Sequence, residues 1–353
     1  MSEREVGLVF AAGALLSLIG FLFTPSLLSF LPLKRMAQAI ALFEIVVLFG
    51  LAFDPPLILT IICIVLLLAL PSLLGYALDI FLERATQKED DTGMARGLFI
   101  TAASTAVVLS PIAIGFILGD TNFYWRMFAA AGASLIPFLA LLTLKIKAKD
   151  IVTTKERLRL KDTFRCLTHS RDVVFGASAH LMLQLFFTWV AVYIPLYLHT
   201  SLGISWAELG WVFAIMVLPF VLLEFPIGYI ADKWLGEREL MIIGFIITAI
   251  ATACIALFTD GIVSLLLIAI LVGTRVGAAI IEITTETYFF KHVGSSDVNT
   301  ISFFRMIRPT GSLIGPLIGS AALFFVSLQW LFVVLGGLML LGLPFALLLR
   351  DTK

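Results

Sequence analysis

The segment EFPIGYIADKWLGER, residues 224–238, ends a long apolar stretch with a group of charged side chains. Within it, Gly228 and Asp232 are four residues apart, which is about one turn of an α-helix. Gly236 and Arg238 follow in a short basic loop. Because small residues let helices approach each other closely in lipid, the segment predicts a membrane helix that packs tightly against a neighbour where it leaves the bilayer.

The composition of the whole chain is typical of a membrane protein. Of its 353 residues, 60% are hydrophobic and 14% are charged, whereas an ordinary soluble domain carries about 25% charged residues. The formal net charge is zero, so no global field would recruit nucleic acid. The three cysteines lie far apart, without the spacing of a metal site. We therefore predict no nucleic-acid partner, no metal and no other cofactor.

Apolar stretches long enough to cross a bilayer recur along the chain. A hydrocarbon core of about 30 Å requires about 20 mostly apolar residues in a helix. Five such stretches precede a polar break and six follow it, at residues 6–30, 36–53, 57–83, 92–118, 124–146, 173–199, 206–230, 237–258, 261–288, 298–325 and 329–349. We predict an all-α membrane protein with an N-terminal bundle at 1–146, a cytoplasmic linker at 147–172 and a C-terminal bundle at 173–353.

The distribution of lysine and arginine predicts the orientation of these spans. Connections on one side, together with the break, hold 19 of the 24 basic residues. Since basic loops stay in the cytoplasm, we predict that the break and the C-terminus are cytoplasmic. We also predict an integral membrane protein of the plasma membrane, that is, of the cytoplasmic or inner membrane.

The two halves contain similar segments. GYALDIFLE at 75–83 ends a span and is followed, after a polar loop, by LSPIAIG at 109–115. GAAIIEITTE at 277–286 and IGPLIG at 314–319 stand in the same order in the second half. Repeats of this kind are typical of secondary transporters, which bind substrate near the bilayer midplane. They predict two pseudo-symmetric helical bundles.

The segment that opens this section resembles the inter-helix motif of the major facilitator superfamily, which reads approximately Gly-x-x-x-Asp-x-x-Gly-Arg-Arg/Lys. The matched positions are Gly228, Asp232, Gly236 and Arg238. The pairs Gly315–Pro316 and Trp125–Arg126 look like further marks of that superfamily. With the number of spans, the resemblance covers essentially the whole chain.

The resemblance implies a secondary active transporter that moves a small solute by alternating access between two bundles. It also implies that Asp232 and Arg238 belong to a cytoplasmic charge network that latches the outward-facing state; the alternative is that they fix only topology and loop shape. The expected partners are a small-molecule substrate, the lipid bilayer and, as a further hypothesis, protons. We predict a monomer without catalytic residues, and the sequence names neither the substrate nor the direction of transport.

Two departures from the superfamily favour a second hypothesis. Its members usually have six spans in each half, and residues 6–30 align with the second of them, so the first is missing unless the sequence is truncated at its start. The corresponding motif of the first half is eroded, with Leu27 and Leu31 in place of glycine and aspartate. Both departures agree with a degenerate, non-transporting membrane scaffold or sensor. A membrane enzyme is a third and weaker possibility.

Ionisable residues inside predicted spans are candidate functional groups, because a charge at the centre of a membrane helix costs about 2.5–3.5 kcal/mol on insertion scales. The candidates for proton coupling or a charge network are Asp79, Glu83, Glu282, Glu286, Arg305 and Arg308. Their alternative role is a static ion-pair lattice. Glu282 and Asp79 lead for proton coupling, and Glu44 and Glu224 follow them.

Two further groups are candidates for the wall of a substrate cavity. His180, Gln184 and Thr188 recur every four residues and form one polar stripe on an apolar helix. Such a stripe is expected to face water or substrate, or to form hydrogen bonds between helices. Arg275 lies near the middle of its span, two turns before Glu282, and is the remaining cavity candidate.

Overall fold

A computed structural model describes residues 3–30, 32–85, 89–144, 171–292 and 298–350. These residues are almost entirely helical, and they contain no β-strand. The chain forms two compact units: an N-terminal unit, Val9–Lys155, and a C-terminal unit, Met1–Leu8 together with Glu156–Lys353. The predicted all-α class is confirmed over the described part of the chain.

The described residues of the first half of the chain form five helices. They are α1 (Glu3–Phe30), α2 (Leu33–Ala52), α3 (Leu57–Ala85), α4 (Glu89–Leu118) and α5 (Tyr124–Thr143). In the N-terminal unit, α2 packs against both α3 and α5. The buried side chains Met36 and Ala41 of α2, Leu74 of α3 and Leu142 of α5 belong to one apolar cluster, so α2 is the central helix of this group.

Seven α-helices are described in the second half of the chain. They are α6 (Arg171–Leu196), α7 (Trp206–Ile230), α8 (Glu237–Cys254), α9 (Leu265–His292), α10 (Val298–Ala322), α11 (Leu328–Leu340) and α12 (Gly342–Leu347). Helix α9 packs against α8, α7 and α6, while α6 also packs against α10. Helix α9 is therefore the central helix of the C-terminal unit.

Helix α7 shows how local sequence sets the ends of these helices. Ser205 accepts a hydrogen bond from the backbone N–H of Glu208, and the Glu208 carboxylate accepts one from the Ser205 N–H, forming a capping box. At the other end, a π-helical turn, Ala231–Leu235, extends α7 to Gly236. The helix thus begins at a polar cap and ends at a glycine.

Eight apolar helices within the described residues are long enough to cross a membrane: Leu33–Ala52, Leu57–Gly75, Tyr124–Thr143, Arg171–Ser201, Trp206–Leu235, Glu237–Leu257, Leu265–Phe289 and Leu328–Leu347. Shorter apolar helices lie at Glu5–Gly20 and Thr105–Leu118. Helix α10 covers the tenth predicted span, and its described part carries polar side chains such as Arg308 and Ser312. Since each helix satisfies its own backbone, this set fits a bilayer.

Every predicted span coincides with a helix, with small differences at the ends. Helix α5 ends at Thr143, whereas the sequence predicts 146. The last span is interrupted at Leu341, between α11 and α12, because Pro344 removes a backbone donor near this point. Most of the predicted linker, 147–170, lies outside the described residues.

Helices α6 and α10 meet along a row of glycines. Gly311, Gly315 and Gly319 are four residues apart and therefore lie on one face of α10. A Cβ atom at Gly311 would lie 2.5 Å from the Cβ of Gln184, and one at Gly319 would lie 2.4 Å from the Tyr193 ring. The absence of side chains at these positions thus permits the close approach of the two helices.

We expect Gly311→Ala to destabilise the protein because its Cβ would also lie 3.0 Å from the backbone carbonyl carbon of Gln184, which cannot turn away. Overpacking of this kind costs about 1–3 kcal/mol. The matched control is Gly337→Ala in α11, where a Cβ meets nothing within 4 Å. Thermal unfolding in detergent checks the pair: the melting temperature should fall for Gly311→Ala only. Equal melting temperatures would contradict the tight contact.

Candidate functional site

The polar stripe of α6 forms hydrogen bonds between helices. His180 and Gln184 are 4% and 5% exposed, and Gln184 Nε2 lies 3.1 Å from His180 Nε2. His180 Nδ1 lies 3.0 Å from the hydroxyl of Thr285 on α9, which itself donates to the backbone carbonyl of Ile281. The structure therefore joins the first two residues of the stripe to α9.

The third residue of the stripe, Thr188, forms its hydrogen bond within its own helix. Thr188 donates its hydroxyl to the backbone carbonyl of Gln184 at 3.0 Å, and it lies against Gly315 of α10. Trp189, one residue further on, donates its indole N–H to the Gly315 carbonyl. In this conformation the stripe contacts neighbouring helices, which is the alternative that the sequence left open; a role in a cavity wall stays a prediction.

A second group of residues lies halfway along three spans of the C-terminal unit. The Arg275 guanidinium of α9 lies over the ring of Phe220 on α7, with 5.9 Å between its Cζ atom and the ring centroid. The Phe220 ring is in turn 5.7 Å from the ring of Phe187 on α6. We refer to Arg275, Phe220 and Phe187 as the midspan cluster. It brings together a cation and two aromatic rings from three helices.

Arg275 is not neutralised by direct contact within the described part of the chain. Its Nε atom is buried and has no hydrogen-bond partner there. The ion pairs found among the described residues of this unit join Lys291 to Glu237 and Arg350 to Asp172. Glu282 acts on Arg275 through its charge, as their common stripe on α9 predicts, but two helical turns separate them. Arg275 therefore retains capacity to bind an anion.

The remaining charge-network candidates occupy different environments. On α9, Glu282 is partly buried and Glu286 is exposed, and both take part in interactions. Arg308 is exposed on α10, and its charge acts on His180. The side chains of the other predicted members, Asp79, Glu83 and Arg305, lie outside the described residues.

The predicted gate motif lies at the end of α7 and the start of α8. The N–H of Gly236 donates to the Ala231 carbonyl, five residues earlier, at 3.1 Å, which is the spacing of a π-helix. Gly236 has φ 82° and ψ 161°, a conformation open essentially to glycine only. The chain needs glycine here in order to leave α7 and enter α8 directly.

Two other gate positions are described. A Cβ at Gly228 would meet nothing within 4 Å among the described residues, so the close helix contact expected there stays a prediction. Arg238 is partly buried, and its Nε has no partner in the described part of the chain. The side chains of Asp232 and Glu224 lie outside the described residues, so the predicted Asp232–Arg238 latch stays a prediction.

Comparison with known proteins places this architecture in a family. The sequence profile of the Major Facilitator Superfamily matches residues 176–353, half of the chain. The chain belongs to the Major Facilitator Superfamily. The resemblance stated from the sequence is thereby confirmed, and the protein is an integral membrane protein of a transporter family.

Individual superfamily members support the same assignment. Multidrug resistance protein MdtG of Klebsiella pneumoniae (strain 342) is 24% identical over 253 residues, which cover 70% of this chain. The chain spans 60% of the length of that curated relative. A crystal structure of nucleoside transporter NupG matches with a TM-score of 0.76 and 16% identity, covering 100% of this chain and 92% of NupG. A mutant of NupG matches with a TM-score of 0.77 and 13% identity, covering 99% and 92%. At these identities the structural likeness shows the fold alone.

The gate segment departs from the superfamily motif in two ways. Three residues separate Asp232 from Gly236, whereas the motif has two, and the π-helical turn Ala231–Leu235 accommodates the additional one. Glu237 stands where the motif has its first basic residue. Glu237 is 1% exposed and pairs with Lys291 Nζ, near the end of α9, at 2.5 Å. The negative charge of Glu237, opposite in sign to the motif's basic residue, is therefore compensated by Lys291 of the neighbouring helix α9.

Sequence reasoning missed this pair and one other. Arg350 Nε lies 3.5 Å from Asp172 Oδ2, which connects the end of the chain to the start of α6. An acidic residue at the first position of a helix can be recognised in the sequence as a helix start, since it interacts favourably with the helix dipole. No spacing in the sequence indicates its partner, because Glu237 and Lys291 are 54 residues apart.

The surroundings of Glu44 strengthen its candidacy as a functional acidic residue. It lies on the buried face of α2 with Ala41 and Leu48, and it is 7% exposed. Its Oε2 atom has no hydrogen-bond partner among the described residues. A charged carboxylate in such surroundings is costly, so Glu44 is a candidate for carrying a proton.

We expect Lys291→Met to lower the free energy of unfolding of this unit more than Glu237→Gln does. Lys291 is 42% exposed, so water can solvate it after Glu237→Gln, whereas Lys291→Met leaves the buried carboxylate without this partner. Breaking a fully buried pair in that way costs about 3–5 kcal/mol, and the cost is lower here because Lys291 is partly exposed to water. A double-mutant cycle based on thermal unfolding measures the coupling, for which we expect about 1–3 kcal/mol. Arg350→Met, in the longer and more exposed pair, is the control and should change little. Zero coupling would contradict the pair.

Proposed function

We propose that this protein is a secondary active transporter that moves a small solute across a membrane by alternating access. The observation that carries the proposal is the guanidinium of Arg275 at the middle of an apolar helix, without a direct carboxylate partner among the described residues. Ionisable residues at this depth almost always face the interior of a bundle or a water-filled cavity, and they mark substrate pathways. A protein that only anchors or scaffolds has no use for such a charge.

The relatives agree with this function and leave the solute open. MdtG is named as a multidrug resistance protein and NupG as a nucleoside transporter. In the proposed cycle the helical bundles at residues 1–146 and 173–353 open the site first to one side of the membrane and then to the other. The distribution of basic residues supports a cytoplasmic C-terminus, and the plasma membrane is the proposed location.

Glu44 and Glu282 are the proposed sites of proton coupling. A coupling carboxyl group must change its partners or hydration between states, so that it binds and releases a proton. Glu44 is buried among apolar residues of α2, and Glu282 shares a face of α9 with Arg275. Protonation of Glu44 would remove the free-energy cost of burying its charge. The position of α2 would thereby be coupled to the proton gradient.

The test is solute flux in proteoliposomes that contain the purified chain. The panel is labelled uridine, ethidium and 1-naphthoate, each measured by counterflow and by accumulation under a pH gradient. We expect protein-dependent counterflow for at least one solute and faster accumulation with the gradient. Glu44→Gln should retain counterflow and lose the effect of the gradient, because the amide cannot carry the proton.

Asp120→Asn is the matched control, since Asp120 is an exposed carboxylate of the same half of the chain; it should retain both activities. Accumulation that still follows the gradient in Glu44→Gln would exclude this residue, and Glu282→Gln would then be the variant to measure. Absence of flux for the whole panel, with the protein folded, would favour the scaffold or sensor.

We expect substitutions in the gate motif to change access from the cytoplasm. If Asp232 and Arg238 latch the outward-facing state, Asp232→Asn or Arg238→Gln should speed maleimide labelling of Ser312→Cys in inside-out vesicles. Loss of about 1 kcal/mol of latch energy corresponds to about a fivefold change. Ser312 is a partly exposed residue of α10, and the native cysteines Cys63, Cys166 and Cys254 are first replaced.

Lys233→Cys is the control for this experiment. Lys233 is exposed in the π-helical turn, so its labelling rate should be the same with and without the gate substitution. Equal labelling of Ser312→Cys in both backgrounds would mean that the charges fix only topology and loop shape.

A further inference from the structure

We propose that the midspan cluster of Arg275, Phe220 and Phe187 binds an organic anion with a flat apolar body, such as an aromatic carboxylate. This inference rests on the proposed transport function and adds the chemical class of the substrate. It concerns one face of the C-terminal unit, where α6, α7 and α9 meet.

The three residues lie at the same depth, at the centre of their helices. The apolar helices that contain them are Arg171–Ser201, Trp206–Leu235 and Leu265–Phe289. Phe187 and Phe220 lie within one residue of the midpoints of the first two, and Arg275 lies two residues from the midpoint of the third. With a rise of about 1.5 Å per residue, all three are within about 3 Å of the midpoints, where transporters of this architecture bind substrate.

The charge of Arg275 indicates an anion. Within the described residues its Nε atom has no hydrogen-bond partner, and the ion pairs there involve other residues. A cation with a buried and unused donor is costly. A carboxylate or similar group can accept two parallel hydrogen bonds from a guanidinium, so anion binding would remove that cost.

The aromatic rings indicate the other part of the ligand. Phe220 and Phe187 are both partly buried, and their ring planes are inclined at 59°. The Phe220 ring already has the guanidinium over it, so a ring system attached to the bound anion would lie next to Phe187 and the edge of Phe220. Aromatic pairs in such offset or edge-to-face arrangements attract each other beyond the effect of their buried area.

Neighbouring charges limit the ligand to one negative charge. Glu282 acts electrostatically on Arg275, and its Cα atom lies about 10 Å further along α9, since seven residues rise by about 1.5 Å each. A second anionic group placed along the helix in that direction would be repelled. A monoanion with a flat body therefore fits better than a dianion or a cation.

The experiment compares three probes on the purified full-length chain in nanodiscs by equilibrium dialysis. The probes are 1-naphthoate, the neutral and isosteric 1-naphthamide, and hexanoate, which has the charge without the ring. We expect naphthoate to bind about tenfold or more tightly than naphthamide, as a charge-assisted hydrogen bond of about 1.5–3 kcal/mol implies. Hexanoate should bind more weakly than naphthoate.

Three variants assign the effect to the cluster. Arg275→Gln should abolish the preference for naphthoate over naphthamide, and Arg275→Lys should restore part of it, because lysine keeps the charge and loses the planar fork. Phe220→Leu should lower the preference for naphthoate over hexanoate. The matched control is Arg126→Gln, which removes an exposed arginine that lies over the Phe123 and Trp125 rings at the start of α5; both preferences should persist.

The outcomes separate this inference from transport itself. Equal binding of naphthoate and naphthamide by the unmodified chain, or a preference that survives in a monodisperse Arg275→Gln variant, would overturn the anion site. Flux of uridine or ethidium in proteoliposomes without naphthoate preference would overturn the anion site and leave transport standing. Naphthoate preference that depends on Arg275, without flux of any solute, would support the site and contradict the carrier.

Discussion

A bilayer offers no hydrogen bonds to the polar groups inside it, and this constraint accounts for most of what the structure shows. Each described span is a helix, which satisfies its own backbone. Side-chain donors are satisfied in the same way: Thr188 donates to a carbonyl of its own helix, and Trp189 donates to the Gly315 carbonyl across α6 and α10. The glycines of α10 make the second kind of bond possible, because only a helix without side chains at the contact brings its carbonyls that close.

Buried polar groups that have no hydrogen-bond partner among the described residues are informative for the same reason. Arg275 and Glu44 each have a buried polar atom without a partner among the described residues, one in the C-terminal unit and one in the N-terminal unit. A structural role would be better served by an apolar residue of similar size. In the proposed transport cycle, a substrate at Arg275 and a proton at Glu44 would relieve the two costs, and each would bind and leave in turn.

The gate segment shows how a family motif can vary while its architecture is kept. One extra residue enters between Asp232 and Gly236, and a π-helical turn accommodates it without disturbing α8. The acidic Glu237 replaces a basic residue of the motif and is paired by Lys291 from α9. Such an exchange requires a compensating charge nearby, since a buried carboxylate alone would be strongly destabilising.

The sequence by itself determined the class of protein, the positions of the helices and the superfamily. These depend on the length and apolar character of continuous segments and on a local motif, all of which can be recognised in the sequence without coordinates. It also pointed to Arg275, because a charge in an apolar stretch is visible without coordinates. The tertiary structure alone decided that His180 bonds to Thr285 of α9, that Phe187 and Phe220 accompany Arg275, and that Glu237 pairs with Lys291. These partners are distant in the chain, and only the packing of the helices, with the close contact that glycine allows, brings them together.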